Sequence, residues 1–155
     1  MTQIDKTKPV LVTGATGYVA GWLVKKLLEE GLTVHAAVRN PSDEKKVAHL
    51  NELANASPGS IKYFKTDLLE SGSYVEAMQG CEFVYHTASP FIITVKDPQK
   101  DLIAPAVEGT QNVLDSANQT PSVKRVAVTS SCAAIYSDAI ECDQAPNGIL
   151  TEDVW

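Results

Sequence analysis

The sequence predicts an α/β fold built on a doubly wound parallel sheet, and three observations carry that prediction. Short apolar, β-branched runs recur along the chain, amphipathic helical stretches lie between them, and glycine, proline, serine and asparagine punctuate the joins. That is the pattern of successive βαβ units. With 155 residues, 44% of them hydrophobic, the chain is long enough for one globular domain with a sizeable core.

Five runs read as strands, at residues 10–13, 33–38, 61–65, 82–86 and 125–129. Between the first two, Val19, Trp22, Leu23, Leu27 and Leu28 recur at helical spacing, with Lys25, Lys26, Glu29 and Glu30 mainly on the other side. An amphipathic helix is expected there, ended by Gly31. A second helix is expected over about residues 42–56, with Ser42 as its N-cap and Ser57-Pro58-Gly59 closing it. A short helix follows over 73–78 and a longer one over about 102–118. Residues 137–150 carry Pro146 and Asn147-Gly148 with little periodicity and read as a surface loop.

Composition excludes several function classes. The 13 Lys and Arg against 19 Asp and Glu leave a net charge of −6, which supplies no footprint for nucleic acid or an anionic membrane. The N-terminal stretch up to Pro9 is polar, unlike a secretory signal, and no run approaches the roughly 20 apolar residues that span a bilayer. Cys81, Cys132 and Cys142 are odd in number and lack C-x-x-C spacing, so neither a disulfide framework nor a zinc site is indicated. A reducing, cytoplasmic setting is expected. His35 and His49 fall in different elements and suggest no metal site.

The strongest local signal is Val10-Leu11-Val12-Thr13-Gly14-Ala15-Thr16-Gly17-Tyr18-Val19-Ala20-Gly21, where a strand feeds a helix. Gly14 suits a tight turn, and Gly17 lets a pyrophosphate approach the amides at the helix start. Small side chains at Ala20 and Gly21 are expected to let the helix lie close on the sheet. The second strand ends at Arg39, where a site selective for NAD would place an acidic residue against the ribose. A guanidinium there suits a 2′-phosphate, through charge-assisted hydrogen bonds worth about 1.5–3 kcal/mol each. NADP is therefore favoured, with Lys45 and Lys46 as sources of a second positive charge. After the third strand, Asp67 either accepts from the adenine amine or caps the next turn. After the fourth, His86-Thr87-Ala88-Ser89-Pro90 brings small residues to the carboxyl edge of the sheet, with His86 read as packed rather than catalytic.

Together these residues resemble a known family. Thr13-Gly14-Ala15-Thr16-Gly17-Tyr18-Val19-Ala20 is similar to the TGxxGxxG fingerprint of extended short-chain dehydrogenases/reductases, with Ala20 in place of the third glycine. Val38-Arg39-Asn40-Pro41 with Lys45-Lys46-Val47, Thr66-Asp67-Leu68, His86-Thr87-Ala88-Ser89-Pro90, Val107-Glu108-Gly109-Thr110 and Val128-Thr129-Ser130-Ser131 resemble the dihydroflavonol 4-reductase-like branch. That branch includes NADPH-dependent aldehyde and ketone reductases. The resemblance implies a Rossmann-type sheet with strand order 3-2-1-4-5. It implies that Gly14, Ala15, Thr16, Gly17, Tyr18 and Val19 wrap the pyrophosphate, that Arg39 and Lys46 hold the 2′-phosphate of NADP(H), and that Asp67 and Leu68 meet adenine. Thr87, Ala88 and Ser89 would line the ribose and nicotinamide side, Thr129 and Ser130 would complete the cofactor set, and Ser131 falls on the catalytic serine.

The family reduces a carbonyl with a Tyr-x-x-x-Lys pair, in which the ammonium lowers the phenol pKa for proton exchange with the carbonyl oxygen. Here the residues four after Tyr18, Tyr63, Tyr74, Tyr85 and Tyr136 are Trp22, Asp67, Met78, Ser89 and Ile140, and none is lysine. The expectation is that residues 1–155 are the N-terminal, NADP-binding portion of a longer reductase. The substrate lobe would be absent, and the remainder of the polypeptide would cover the sheet edge. The expected function is reduction of an aldehyde or ketone to the alcohol, with this chain alone inactive. The alternatives are a non-catalytic NADP-binding sensor and an NAD-dependent nucleotide-sugar epimerase or dehydratase. Tyr136 stands where dihydroflavonol reductases resemble one another in carrying an amide, which favours a small carbonyl substrate over a flavonoid.

Overall fold

Apolar side chains along the first two strands point alternately to opposite faces, and that alternation builds two cores. The structure, a computed structural model, describes residues 5–90, 94–136 and 138–151. The strands are β1 (Val10–Thr13), β2 (Thr33–Val38), β3 (Ser60–Lys65), β4 (Phe83–His86) and β5 (Arg125–Val128). They form one parallel sheet in the order β3-β2-β1-β4-β5, as the sequence predicts. The helices are α1 (Tyr18–Glu29), α2 (Glu44–Asn55), α3 (Val75–Met78) and α4 (Ala104–Asn118). Val10, Val12, Val34, Ala36 and Val38 pack beneath Ala20, Val24, Leu27 and Leu28 of α1 and Leu50 of α2. Leu11, Ala37 and Val84 face the other way, onto Ala77 and Met78 of α3 and Val113 and Ala117 of α4. The centre of the sheet is thus covered on both sides. Among the described residues no helix is long and apolar enough to cross a membrane.

Several boundaries and faces differ from expectation, each for a local reason. The buried stripe of α1 is Ala20, Val24, Leu27 and Leu28, whereas Val19 and Trp22 are 60% and 56% exposed. The helix is therefore rotated from the expected face, and Trp22 lines a groove of about 410 Å³ against His49 and Leu53 of α2. Ala20 faces the sheet core, but the position a Cβ would take on Gly21 points toward the His49 ring at 3.9 Å, so Gly21 faces α2. The N-cap of α2 is Asp43 rather than Ser42, because the Asp43 carboxylate accepts from Lys46 N at 3.3 Å. Ser42 N instead donates to Asn40 Oδ1.

Helix α3 starts at Val75, since the Ser73 hydroxyl is drawn back to Asp67 O at 2.8 Å. A π-helical turn, Gln99–Ile103, leads into α4. The stretch expected to be a surface loop contains short 3₁₀ turns at Ala139–Gln144 and Pro146–Gly148, while Ser137 lies outside the described residues. Among the described residues strand β5 pairs only with β4, and Ala127 and Val128 are exposed.

Candidate functional site

All five strands are parallel, so the loops after them gather at one edge, and β1 and β4 lie side by side where the order of the chain reverses. At that point Gly14 adopts φ +62°, and a Cβ there would lie 3.0 Å from Ala88 Cα. Only a glycine lets the turn after β1 touch the loop after β4 in this way. Ala15 N donates to Ala37 O of β2 at 3.2 Å, and Gly17 N to Gly14 O at 2.8 Å. Gly17 is the N-cap of α1, and neither a capping side chain nor an acidic residue in the first turn satisfies the helix start. The amides of Tyr18, Val19 and Ala20 therefore open α1 without a carbonyl partner, under the positive end of the helix dipole. That is the chemistry of an anion cradle.

The loop after β4 is fixed by a buried relay. Thr13 Oγ1 accepts from Thr87 N at 3.1 Å and Ala88 N at 3.0 Å, and lies 2.8 Å from His86 Nδ1. A hydroxyl has two lone pairs and one proton, so with both lone pairs engaged its proton goes to His86 Nδ1. His86 is then the neutral tautomer with its proton on Nε2, 3.4 Å from Thr110 Oγ1 on α4. Burial pushes the His86 pKa down, in keeping with a neutral ring. The sequence reading of His86 as a packed histidine agrees with this. The Thr87 hydroxyl in turn donates to Thr13 O.

The remaining positions divide into open and engaged groups. Arg39 is exposed just beyond β2, and its guanidinium has no partner among the described residues. Lys46 sits 3.6 Å from Asp43, an exposed pair of little energetic weight, which leaves its ammonium able to swing; Lys45 is exposed. Asp67 uses Oδ1 to accept Leu69 N at 2.9 Å, so one oxygen caps the turn while the other is unengaged. Leu68 packs on the second core, and Ser89 is exposed. Thr129 N donates to His86 O at 2.9 Å, extending the β4–β5 pairing to the site edge. Ser130 and Ser131 are exposed, and Ser131 Oγ caps the turn Cys132–Ala134 by accepting Ala133 N at 3.2 Å. Among the described residues no hydrogen bond joins Ser131 to the other site residues. Tyr63 and Tyr74 have phenol pKa values raised by burial, and the Tyr63 hydroxyl donates to Asn51.

The geometry is that of a nucleotide crevice, and comparison with known proteins agrees. A sequence profile described as "NAD dependent epimerase/dehydratase family" matches residues 10–152. The chain belongs to this family. Within it, the chain is 55% identical over 126 residues to cinnamoyl-CoA reductase CAD2 of Medicago truncatula, covering 81% of this chain and 38% of that protein. It is 45% identical over 153 residues to tetraketide alpha-pyrone reductase 1 of Arabidopsis thaliana, covering 98% and 46% respectively. Among solved structures it resembles Gre2 in complex with NADPH from Candida albicans, with TM-score 0.71 and 34% identity, over 83% of this chain and 38% of that one. The chain thus spans less than half the length of the curated relatives it matches.

Sequence reasoning missed Thr13, Thr110 and Asn112 as groups that shape the epimerase/dehydratase-type crevice. Thr110 lies inside the quoted Val107-Glu108-Gly109-Thr110 motif and Asn112 two residues beyond it. Polar residues at positions 110 and 112, flanking the buried stripe of Gly109, Val113, Ser116 and Ala117, were the available signal.

Proposed function

We propose that this chain carries the dinucleotide-binding part of an NADPH-dependent carbonyl reductase, and that the Tyr-x-x-x-Lys pair and substrate lobe lie outside residues 1–155. The observation that carries the choice of cofactor is the exposed Arg39 guanidinium just beyond β2, which has no partner among the described residues. The bare amides opening α1 and the close approach of Gly14 to Ala88 fit a pyrophosphate, and the Gre2 neighbour in complex with NADPH supports the same assignment. Gly14, Ala15, Thr16, Gly17, Tyr18 and Val19 would hold the pyrophosphate, and Arg39 and Lys46 the 2′-phosphate. Asp67 and Leu68 would meet adenine, and Thr87, Ala88, Ser89, Thr129 and Ser130 the ribose and nicotinamide side. When bound, NADPH supplies the hydride that reduces the carbonyl carbon. Ser131, whose Oγ lone pair is engaged by Ala133 N, keeps its proton to donate to the carbonyl oxygen and orient it.

The substrate we favour is a small aldehyde or ketone, in a reducing, cytoplasmic setting supported by three free cysteines. A cinnamoyl-CoA-type substrate is the second reading, favoured by the 55% identity to cinnamoyl-CoA reductase CAD2. Product analysis with both substrate classes, on a form carrying the Tyr-x-x-x-Lys pair, separates the two. The exposed outer side of β5 supports the rest of the polypeptide as its cover. The cofactor assignment is tested by titrating NADPH and NADH against the protein and its Arg39→Ala variant. Loss of charge-assisted bonds of about 1.5–3 kcal/mol should weaken NADPH about 10- to 150-fold and leave NADH nearly unchanged. Equal affinity of the unaltered protein for both would overturn the reading.

A further inference from the structure

The loop between β3 and α3 presents Asp67 and Leu68 at the site, and short-range bonds of its own shape it, among them Leu69 N to Asp67 Oδ1 at 2.9 Å, Ser73 Oγ to Asp67 O at 2.8 Å and Ser73 N to Glu70 O at 3.1 Å. Thr66 N reaches Val38 O at 2.9 Å, Asp67 N meets Ser73 Oγ at 3.2 Å, and Glu70 N meets Asp67 O at 3.3 Å. Beyond these local bonds, support arrives from a residue 40 to 45 positions away in sequence, Asn112 on α4. Its side-chain amide donates to Glu70 O at 2.8 Å and Leu68 O at 3.0 Å, with Asp67 O at 3.4 Å as a weaker third contact. Its Oδ1 accepts Gly72 N at 2.9 Å. The partners fix the orientation of the amide, since three carbonyls require the NH₂ end and one N–H requires the oxygen. Asn112 thus directs both ends of its amide onto one loop.

One turn earlier on the same helix, Gly109 is buried against that loop. A Cβ at Gly109 would lie 3.0 Å from Leu68 Cβ and 3.1 Å from Leu68 Cδ2. The absence of a side chain is what lets Leu68 seat where it does. Between these two positions Thr110 reaches His86, the other end of the relay that holds Thr87 and Ala88. One turn of α4 therefore braces two of the loops that line the crevice, with Thr110 and Asn112 on opposite flanks of the helix.

We propose that Asn112 is a positioning residue that, with the gap left by Gly109, sets the Asp67–Leu68 step for recognition of the adenine base. The proposal rests on the reading of that step as the adenine end of an NADPH site. It predicts that base discrimination, rather than affinity in general, depends on a residue that does not touch the base.

The test is the ratio of affinities for NADPH and for its hypoxanthine analogue, in which the exocyclic amine is a carbonyl, measured by titration calorimetry. A base amine bonded to a carboxylate gives the unaltered protein a preference for NADPH of about tenfold or more. Asn112→Ala should bring that preference to within about twofold. Asn112→Asp keeps an acceptor for Gly72 N but turns an oxygen on the loop carbonyls, and should fall at least as far. Gly109→Ala, which moves Leu68 by a different route, should lower the preference in part and keeps the test open if the Asn112 variants do not fold. Val113→Ala, a core change next in the chain, should lower the melting temperature and leave the ratio intact. An unchanged ratio in the Asn112 variants, or an equal collapse in Val113→Ala, overturns the proposal. Failure of the unaltered protein to bind NADPH would instead reject the cofactor reading. Binding of NADPH without base preference would reject the adenine role of Asp67–Leu68 and the proposal with it.

Discussion

Two buried histidines hold the sheet through neutral rings. His35 Nδ1 donates to Ala77 O at 2.7 Å with the Cys81 sulfur at 3.4 Å, and His86 accepts the Thr13 proton. Burial lowers the pKa of both from the usual 6.5; for His35 the bond to Ala77 O works against this and the Lys62 charge adds to it. Below pH 6.5 the unfolded chain takes up protons at these positions while the native rings stay neutral, so the unfolded state binds more protons and stability falls as pH drops toward the native pKa values. Above pH 6.5 these two rings add no slope. Urea unfolding between pH 7.5 and 5.5 should show this decline, at up to about 1.4 kcal/mol per pH unit for each histidine. His86→Gln should remove one histidine's share of the slope; an identical slope in the variant would sink the assignment. The thiol of Cys81, pushed up to about 12 by burial, takes no part in this range. At this scale the sequence was partly legible. Gly14 stands out because the tight turn it makes follows from its immediate neighbours in the chain, whereas Thr13 bonds to His86 from 73 positions away.

Helix α1 shows what an element's ends contribute. Its C-terminus closes with Leu32 N to Leu27 O at 3.1 Å and Gly31 N to Leu28 O at 3.0 Å, the paired bonds of a Schellman motif, with Gly31 at φ +80°. Gly59, at the start of the pairing with β3, docks on that same terminus through Gly59 N to Leu28 O at 3.0 Å. A Cβ on Gly59 would lie 2.5 Å from Leu32 O and 2.8 Å from Leu28 Cα, whereas one on Gly31 would meet nothing within 4 Å. Gly31→Ala should therefore cost about 1–2 kcal/mol, through backbone conformation alone. Gly59→Ala should cost more, at or beyond the upper end of the roughly 1–3 kcal/mol typical of overpacking, because backbone rather than a side-chain tip must yield. Thermal melts of the two variants rank them, and a milder Gly59→Ala would contradict the close approach. The end of α1 at Gly31 was readable from the sequence, as was the existence of all four helices. The rotation of α1 was not, because Val19 and Trp22 are apolar yet exposed, Trp22 lining a groove shared with α2. The π-helical entry to α4 likewise leaves no mark in residue spacing.

Across the whole molecule the parallel order was legible because each strand run is followed by a helix-length interval, which leaves a crossover as the natural connection. What could not be read was the unequal cover of the sheet: β1 is fully buried, while β5 is largely exposed. Strand β1 is also flanked by parallel partners on both sides, β2 and β4, and it runs directly into Gly14. The amides of Leu11 and Val12 should consequently be the last in the chain to take up deuterium, exchanging only on global unfolding, while those of β5 exchange through local opening. Time-resolved exchange read by mass spectrometry checks this, and a β5 as protected as β1 would contradict it. The glycine turn after β1 is then anchored to the slowest-breathing backbone in the molecule, so a ligand arriving there would meet a surface already frozen into shape, and little ordering would remain for the encounter itself to accomplish.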